Sequence, residues 1–119
     1  MINIAENGII TMAAGDSFSY PMFINAGNKL APLRYTLTGE DRVYFVIGRP
    51  NQPFEHGEVR KIFTEEHNNE FGDVMIEIDH EDTRCLHPGT YYYEIRLSYN
   101  YEGKTYYCTI VPQRKFYII

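Results

Sequence analysis

A chain of 119 residues, 44% hydrophobic and 23% charged, has the size and make-up of one globular domain. That apolar share excludes disorder for want of a core, and a net charge of −5 excludes the basic footprint that a nucleic-acid backbone would attract. No stretch nears the roughly 18 apolar residues of a membrane span, and Met1–Asn7 has neither the basic end nor the apolar run of a signal peptide.

Eleven Tyr and seven Phe with no Trp point to strands, where flat amphipathic rings pack well on a half-buried pleated surface. In chain order, Ile9–Met12 reads as a first strand, and Gly15-Asp16 turns into Ser17–Ile24, where Phe18, Tyr20, Met22 and Ile24 share a face. Pro21 cannot donate to a ladder, so this strand is an edge or is bulged there. Asn25–Asn28 is turn chemistry, and Pro32–Leu37 is a short extended segment. Arg42–Gly48 is the strongest strand. It has Val43, Phe45 and Ile47 on one face with Tyr44 and Val46 on the other, the pattern of a central strand covered on both sides. Two prolines and a glycine make Arg49–Gly57 a loop. Glu58–Thr64 and Asp73–Asp79 flank a polar connection long enough for a helical turn, and His80–Leu86 reads as one helical or 3₁₀ turn. Tyr91–Tyr99 is a long strand with Tyr91, Tyr93, Ile95, Leu97 and Tyr99 on its apolar face. Asn100–Gly103 makes a hairpin into Lys104–Val111, and Pro112–Arg114 interrupts the chain before Lys115–Ile119. About eight strands, with breakers every ~8–12 residues, predict an all-β, immunoglobulin-like antiparallel sandwich. It carries one short helical turn and forms a single unit over residues 1–119.

Motifs that carry chemistry are sparse. The serines lack a Gly-x-Ser-x-Gly turn, glycines occur singly beside turn residues, and the four histidines show no paired ligand spacing. No catalytic residue, metal or cofactor is therefore expected. Asp79, Glu81 and Asp82 flank His80 closely enough to suggest a cation, but acids at that position ordinarily cap a helical turn. Cys85 and Cys108 read as free, partly buried thiols, since a chain kept in a reducing compartment does not need a bridge. Tyrosine exceeds what one core face can bury. Tyr92, Tyr101, Tyr107 and Tyr117, with Phe54 in its proline-bounded loop, are the candidate interface residues, because Tyr gives large contact area at low rotamer cost. Phe54 has two readings, an exposed anchor or a plug for the end of the sandwich. Sugar stacking on the exposed aromatics is the alternative use of the same residues.

Two segments stand out as edges. Ser17–Ile24 is blunted by Pro21, and Lys115–Ile119 has only Lys115 as a gatekeeper. An apolar end strand must be paired, within its own sheet or by a neighbour, so Phe116 and Ile118 are expected on one buried face. Tyr117 then points the opposite way, near a subunit contact.

Leu86-His87-Pro88-Gly89-Thr90-Tyr91-Tyr92 resembles the Leu-x-Pro-Gly-Thr-x-Tyr corner of fibronectin type III domains, although alternation puts Tyr91 and Tyr93, not Tyr92, on the apolar face. A wider set of words resembles small tail and baseplate proteins of phages and prophages of Gram-positive bacteria, including the N-terminal domain of the phage baseplate upper protein. These are Gly8-Ile9-Ile10-Thr11-Met12, Gly15-Asp16-Ser17-Phe18, Phe23-Ile24-Asn25, Tyr35-Thr36-Leu37, Val43-Tyr44-Phe45, Pro50-Asn51-Gln52-Pro53-Phe54-Glu55 and Pro88 to Ile95. That resemblance implies a non-enzymatic attachment domain whose partners are other tail or baseplate proteins, with self-association as a further option. It would be made in the host bacterial cytoplasm and then built into the virion tail. The baseplate protein continues into a helical segment and a further domain, where this sequence ends at Ile119.

Overall fold

The computed structural model describes residues 3–4, 7–28 and 30–119. Among them the chain is all-β, with eight strands: β1 Asn3–Ile4, β2 Ile10–Met12, β3 Phe18–Met22, β4 Arg42–Gly48, β5 Val59–Phe63, β6 Val74–Ile78, β7 Gly89–Tyr101 and β8 Lys104–Ile118. Helix is confined to single turns, 3₁₀ at Phe54–His56 and Glu65–His67 and α at His80–Thr83 (α1). The first of these turns lies in a segment expected to be plain loop.

Six strands form one sheet in the order β1-β2-β8-β7-β4-β5, and β3 pairs with β6 in a second. The expected wholly antiparallel arrangement is corrected at one place: β2 runs parallel to β8, with Ile10, Thr11 and Met12 opposite Phe116, Tyr117 and Ile118. Period-2 alternation then dictates the core. Val43, Phe45 and Ile47 of β4 and Tyr91, Tyr93, Ile95 and Leu97 of β7 are buried from the larger sheet, Met22, Val74, Ile76 and Ile78 from the smaller, and all join one cluster. Rings fix its centre, where Phe45 stacks on Tyr93 at 5.4 Å and Phe116 meets Tyr93 edge-on at 6.2 Å.

The β7–β8 hairpin turns on Glu102 and Gly103, both at positive φ (49° and 79°), a two-residue turn whose twist matches that of the flanking strands. Pro112–Arg114, expected from sequence to interrupt the chain, instead lies within one continuous strand. Between Arg114 and Val111, β8 uses three steps while β7 uses two from Tyr93 to Ile95, and a second irregularity follows at Ile95/Arg96. Pro112 sits inside the first bulge, where the ladder is already interrupted and its missing N–H removes no regular bond. β8 is thus continuous, and its last residues lie between β2 and β7 as an interior strand, not an edge. β3, by contrast, pairs with β6 alone and in unbroken register through Pro21, which makes it an edge without a bulge. Pro32–Leu37 is not a strand; it contributes a single bridge, Asn25 with Arg34.

Three polar ties join the parts. Thr83, fully buried, donates to the Asp16 carbonyl and accepts from the Gly15 N–H, both at 3.0 Å, which fastens the β2–β3 turn to α1. Buried Asp41 accepts from the Tyr35 hydroxyl at 2.7 Å and the Thr38 N–H at 3.1 Å. Tyr91 donates its hydroxyl to the His87 carbonyl at 2.9 Å, so the corner tyrosine is Tyr91, as alternation in β7 requires.

Candidate functional site

On the side of the six-stranded sheet away from the core, alternation leaves a second face. Register places Tyr44 between Ile62 and Arg96, Val46 between Arg60 and Glu94, and Tyr107 opposite Ser98. Among the described residues no second sheet covers this face. Its cover is the β4–β5 loop, held by Arg49 N–H donating to Gln52 Oε1 at 2.8 Å and by the 3₁₀ bond from His56 N–H to the Pro53 carbonyl at 2.9 Å. Gly57 lets that loop lie flat, because a Cβ there would stand 2.2 Å from Val46 Cγ1 and 3.0 Å from the Ile47 carbonyl oxygen.

The loop sets Phe54 on the sheet, with the Arg96 guanidinium 4.1 Å above its ring, a cation–π contact. Phe54 is therefore half-buried on the outer face, and does not plug the end between the two sheets. Arg96 also ion-pairs with Glu94, and Arg60 donates to the Glu55 carbonyl at 2.8 Å. Among the described residues Arg60 has no carboxylate partner. The result is an open groove of about 760 Å³ between Phe54 and Tyr107, floored by Tyr44 and Val46 and edged by Ile62, which is 55% exposed, and Arg60.

Four of the five candidate interface residues share this outer face. Phe54 and Tyr107 line the groove, Tyr92 lies across the loop from it, and Tyr117 sits at the far end of the face, opposite Thr90. Tyr101 opposes Lys104 on the other face of the hairpin, on the same side as the stacked Tyr99–Tyr106 pair, so it does not join them. Phe116 and Ile118 are buried and Tyr117 points the other way, half-exposed. Sequence reasoning missed Tyr44, Arg60, Ile62 and Arg96 as site residues. The signal was there in part: Tyr44 and Val46 make the second face of β4 apolar, and Ile62 is the lone apolar residue on an otherwise charged outer face of β5.

Lys61 points to the inner side of the same sheet edge, where its ammonium meets Asp82 at 2.9 Å and Asp79 at 3.4 Å. Burial works against its charge, but the bonds from Asp82 and then Asp79 outweigh that, and its pKa is raised. Asp79 and Asp82 beside His80 are thus spent locally, for Asp82 also accepts from the Asp79 N–H at 2.8 Å. Among the described residues no group of three or more His, Cys, Asp or Glu could hold a metal. Cys85 and Cys108 are free, and both are exposed where partial burial was expected.

No family model matches the chain, and neither a curated protein nor a solved structure shows significant similarity to it.

Proposed function

We propose that the chain is a non-enzymatic attachment domain, an immunoglobulin-like β-sandwich that binds a protein partner through the outer face of its larger sheet. The observation that carries the reading is the groove itself: aromatic and aliphatic side chains gathered on an uncovered sheet face, with arginines at the rim. Tyr, Arg and large apolar groups around a desolvated centre are the composition of protein interfaces.

The sandwich reading is supported by strand order. β8-β7-β4-β5 facing β3-β6 repeats the order in which the G, F, C and C′ strands face B and E in variable-type immunoglobulin domains. Tyr91 closing on His87, at the start of the strand in the F position, is where the tyrosine corner of that fold sits. The non-enzymatic reading is supported by Asp79 and Asp82 beside His80 being committed to Lys61, at 3.4 and 2.9 Å on the inner side of the sheet. The sequence resemblance makes the partners neighbouring subunits of a phage or prophage tail or baseplate.

Protein is favoured over sugar because the Arg96 guanidinium covers one face of Phe54, the loop ring that a sugar would stack on. The test is native mass spectrometry with light scattering on the chain alone and with neighbouring tail proteins, alongside Ile62→Asp and Tyr107→Ser. Capture by the wild type, lost in both variants at unchanged melting temperature, is the expected result. A chain that captures no tail component and stays monomeric at high concentration would sink the proposal, and a glycan retained on an array would replace it with the sugar-binding reading.

A further inference from the structure

The groove suits an occupant with an exposed apolar side chain and negative charge beside it, since Arg60 stands at its rim with no carboxylate partner among the described residues, whereas Arg96 is paired with Glu94. Such a group exists on the chain itself. The loop before β6 carries Phe71, 67% exposed, next to Glu70, with Glu66 in the preceding 3₁₀ turn. Neither Glu66 nor Glu70 has an ion-pair partner among the described residues. Exposing a Phe is costly in water, and this one is held out rigidly. Asn69 Oδ1 accepts from the N–H groups of Phe71 and Asp73 at 2.9 and 3.1 Å, Thr36 Oγ1 donates to the Gly72 carbonyl at 3.1 Å, and Arg34 pairs with Asp73 at 2.8 Å. Gly72 supplies the positive φ, 86°, that the turn demands. A knob already ordered loses little entropy when it docks.

We infer that the Phe71 loop of one copy seats in the outer-face groove of the next, with its carboxylates against Arg60. This rests on the reading of the groove as a protein-binding site. The loop is anchored by Arg34, Thr36 and Asn69, none of which lines the groove, so the contact joins two different surfaces. Such a contact, made once per pair of copies, is head-to-tail and closes into a ring or runs on as an array. One ring in one groove buries less than a stable isolated pair needs, so each contact is weak, and repetition supplies the avidity.

Sedimentation velocity across a concentration series, at low and high salt, tests this. Wild type should form species beyond the dimer, weakened by salt. Phe71→Ser, Ile62→Asp, Arg60→Glu and Glu70→Arg should each weaken association at least ~10-fold, and Arg60→Glu combined with Glu70→Arg should recover part of it. Mixing Phe71→Ser with Ile62→Asp protein should give a one-to-one pair that grows no further. In a Cys85→Ser, Cys108→Ser background, Phe71→Cys with Ile62→Cys should cross-link between copies on oxidation. A wild type that remains monomeric overturns the inference, as does a dimer indifferent to Phe71→Ser. If Ile62→Asp loses capture of a tail protein while Phe71→Ser retains it, a different protein fills the groove. The attachment reading then survives and this one does not. Absence of both self-association and capture removes both.

Discussion

Tyr91 and Tyr92 are neighbours of the same type with opposite fates, because one side chain enters the core and the next leaves it. Tyr91→Phe strips the His87 carbonyl of its donor in a part-buried corner and should cost about 1 kcal/mol, whereas Tyr92→Phe should change stability by less than ~0.5 kcal/mol; urea unfolding of both variants checks the contrast. Tyr35 offers a pH test. Burial first, and then the hydrogen bond to Asp41 and its charge, push the phenol from 10.0 up to about 12. The folded state therefore holds this proton more tightly than the unfolded chain does. Its stabilising contribution is complete below pH 10 and declines as pH rises from 10 towards 12. The urea midpoint should fall across that window, less steeply in Tyr35→Phe, and identical slopes in the two proteins would refute the assignment.

β8 performs two tasks along one strand. Its last residues are core, and its first ones flank the groove. Phe116 is fully buried between β2 and β7, so Phe116→Ala should cost ~3–5 kcal/mol. That is a large share of the ~5–15 kcal/mol a domain possesses, and deleting residues 115–119 should abolish cooperative melting instead of merely changing assembly. Retention of a sharp melt after that deletion would show that the strand is dispensable. The β4–β5 loop poses the converse case. Gly57→Ala drives a methyl into Val46 and should cost about 1–3 kcal/mol. Because it lifts Phe54 from under Arg96, it should also weaken partner capture, which Gly39→Ala, strained at φ 56° but with no neighbour near its Cβ position, should leave intact.

The two sheets share one core, but they are also tied by single side chains at the rim. Thr83 is the most enclosed of these, and Thr83→Val keeps its shape while removing the acceptor for the Gly15 N–H. A loss of about 1–3 kcal/mol is expected, read from thermal unfolding, with no change in the groove's binding because the two lie on opposite sides of the larger sheet. Charge is distributed unevenly over the molecule as well. Glu65, Glu66, Glu70, Asp73, Glu77, Asp79, Glu81 and Asp82 crowd one stretch, while Lys104, Arg114 and Lys115 lie along β8. A net charge of −5 conceals that polarity, which the total alone could not reveal.

Strand positions and the inner faces of β4, β7 and the end of β8 were legible in the sequence, because alternation is a property of consecutive residues and needs no partner. The edge at Pro21 was legible for the same reason, since a missing N–H is local. Which strands neighbour one another was not. The parallel β2–β8 pair joins segments more than a hundred residues apart, and the bulge that absorbs Pro112 exists only against β7. The groove depended on tertiary structure most of all. Tyr44, Phe54, Ile62, Arg96 and Tyr107 come from four strands and a loop, and although Phe54 and Tyr107 stand out as aromatics in the sequence, nothing in either segment says that they meet. Their convergence follows from inter-strand register and from a glycine small enough to let the loop lie on the sheet, and register is set by pairing across the whole sheet, not by any single stretch of chain.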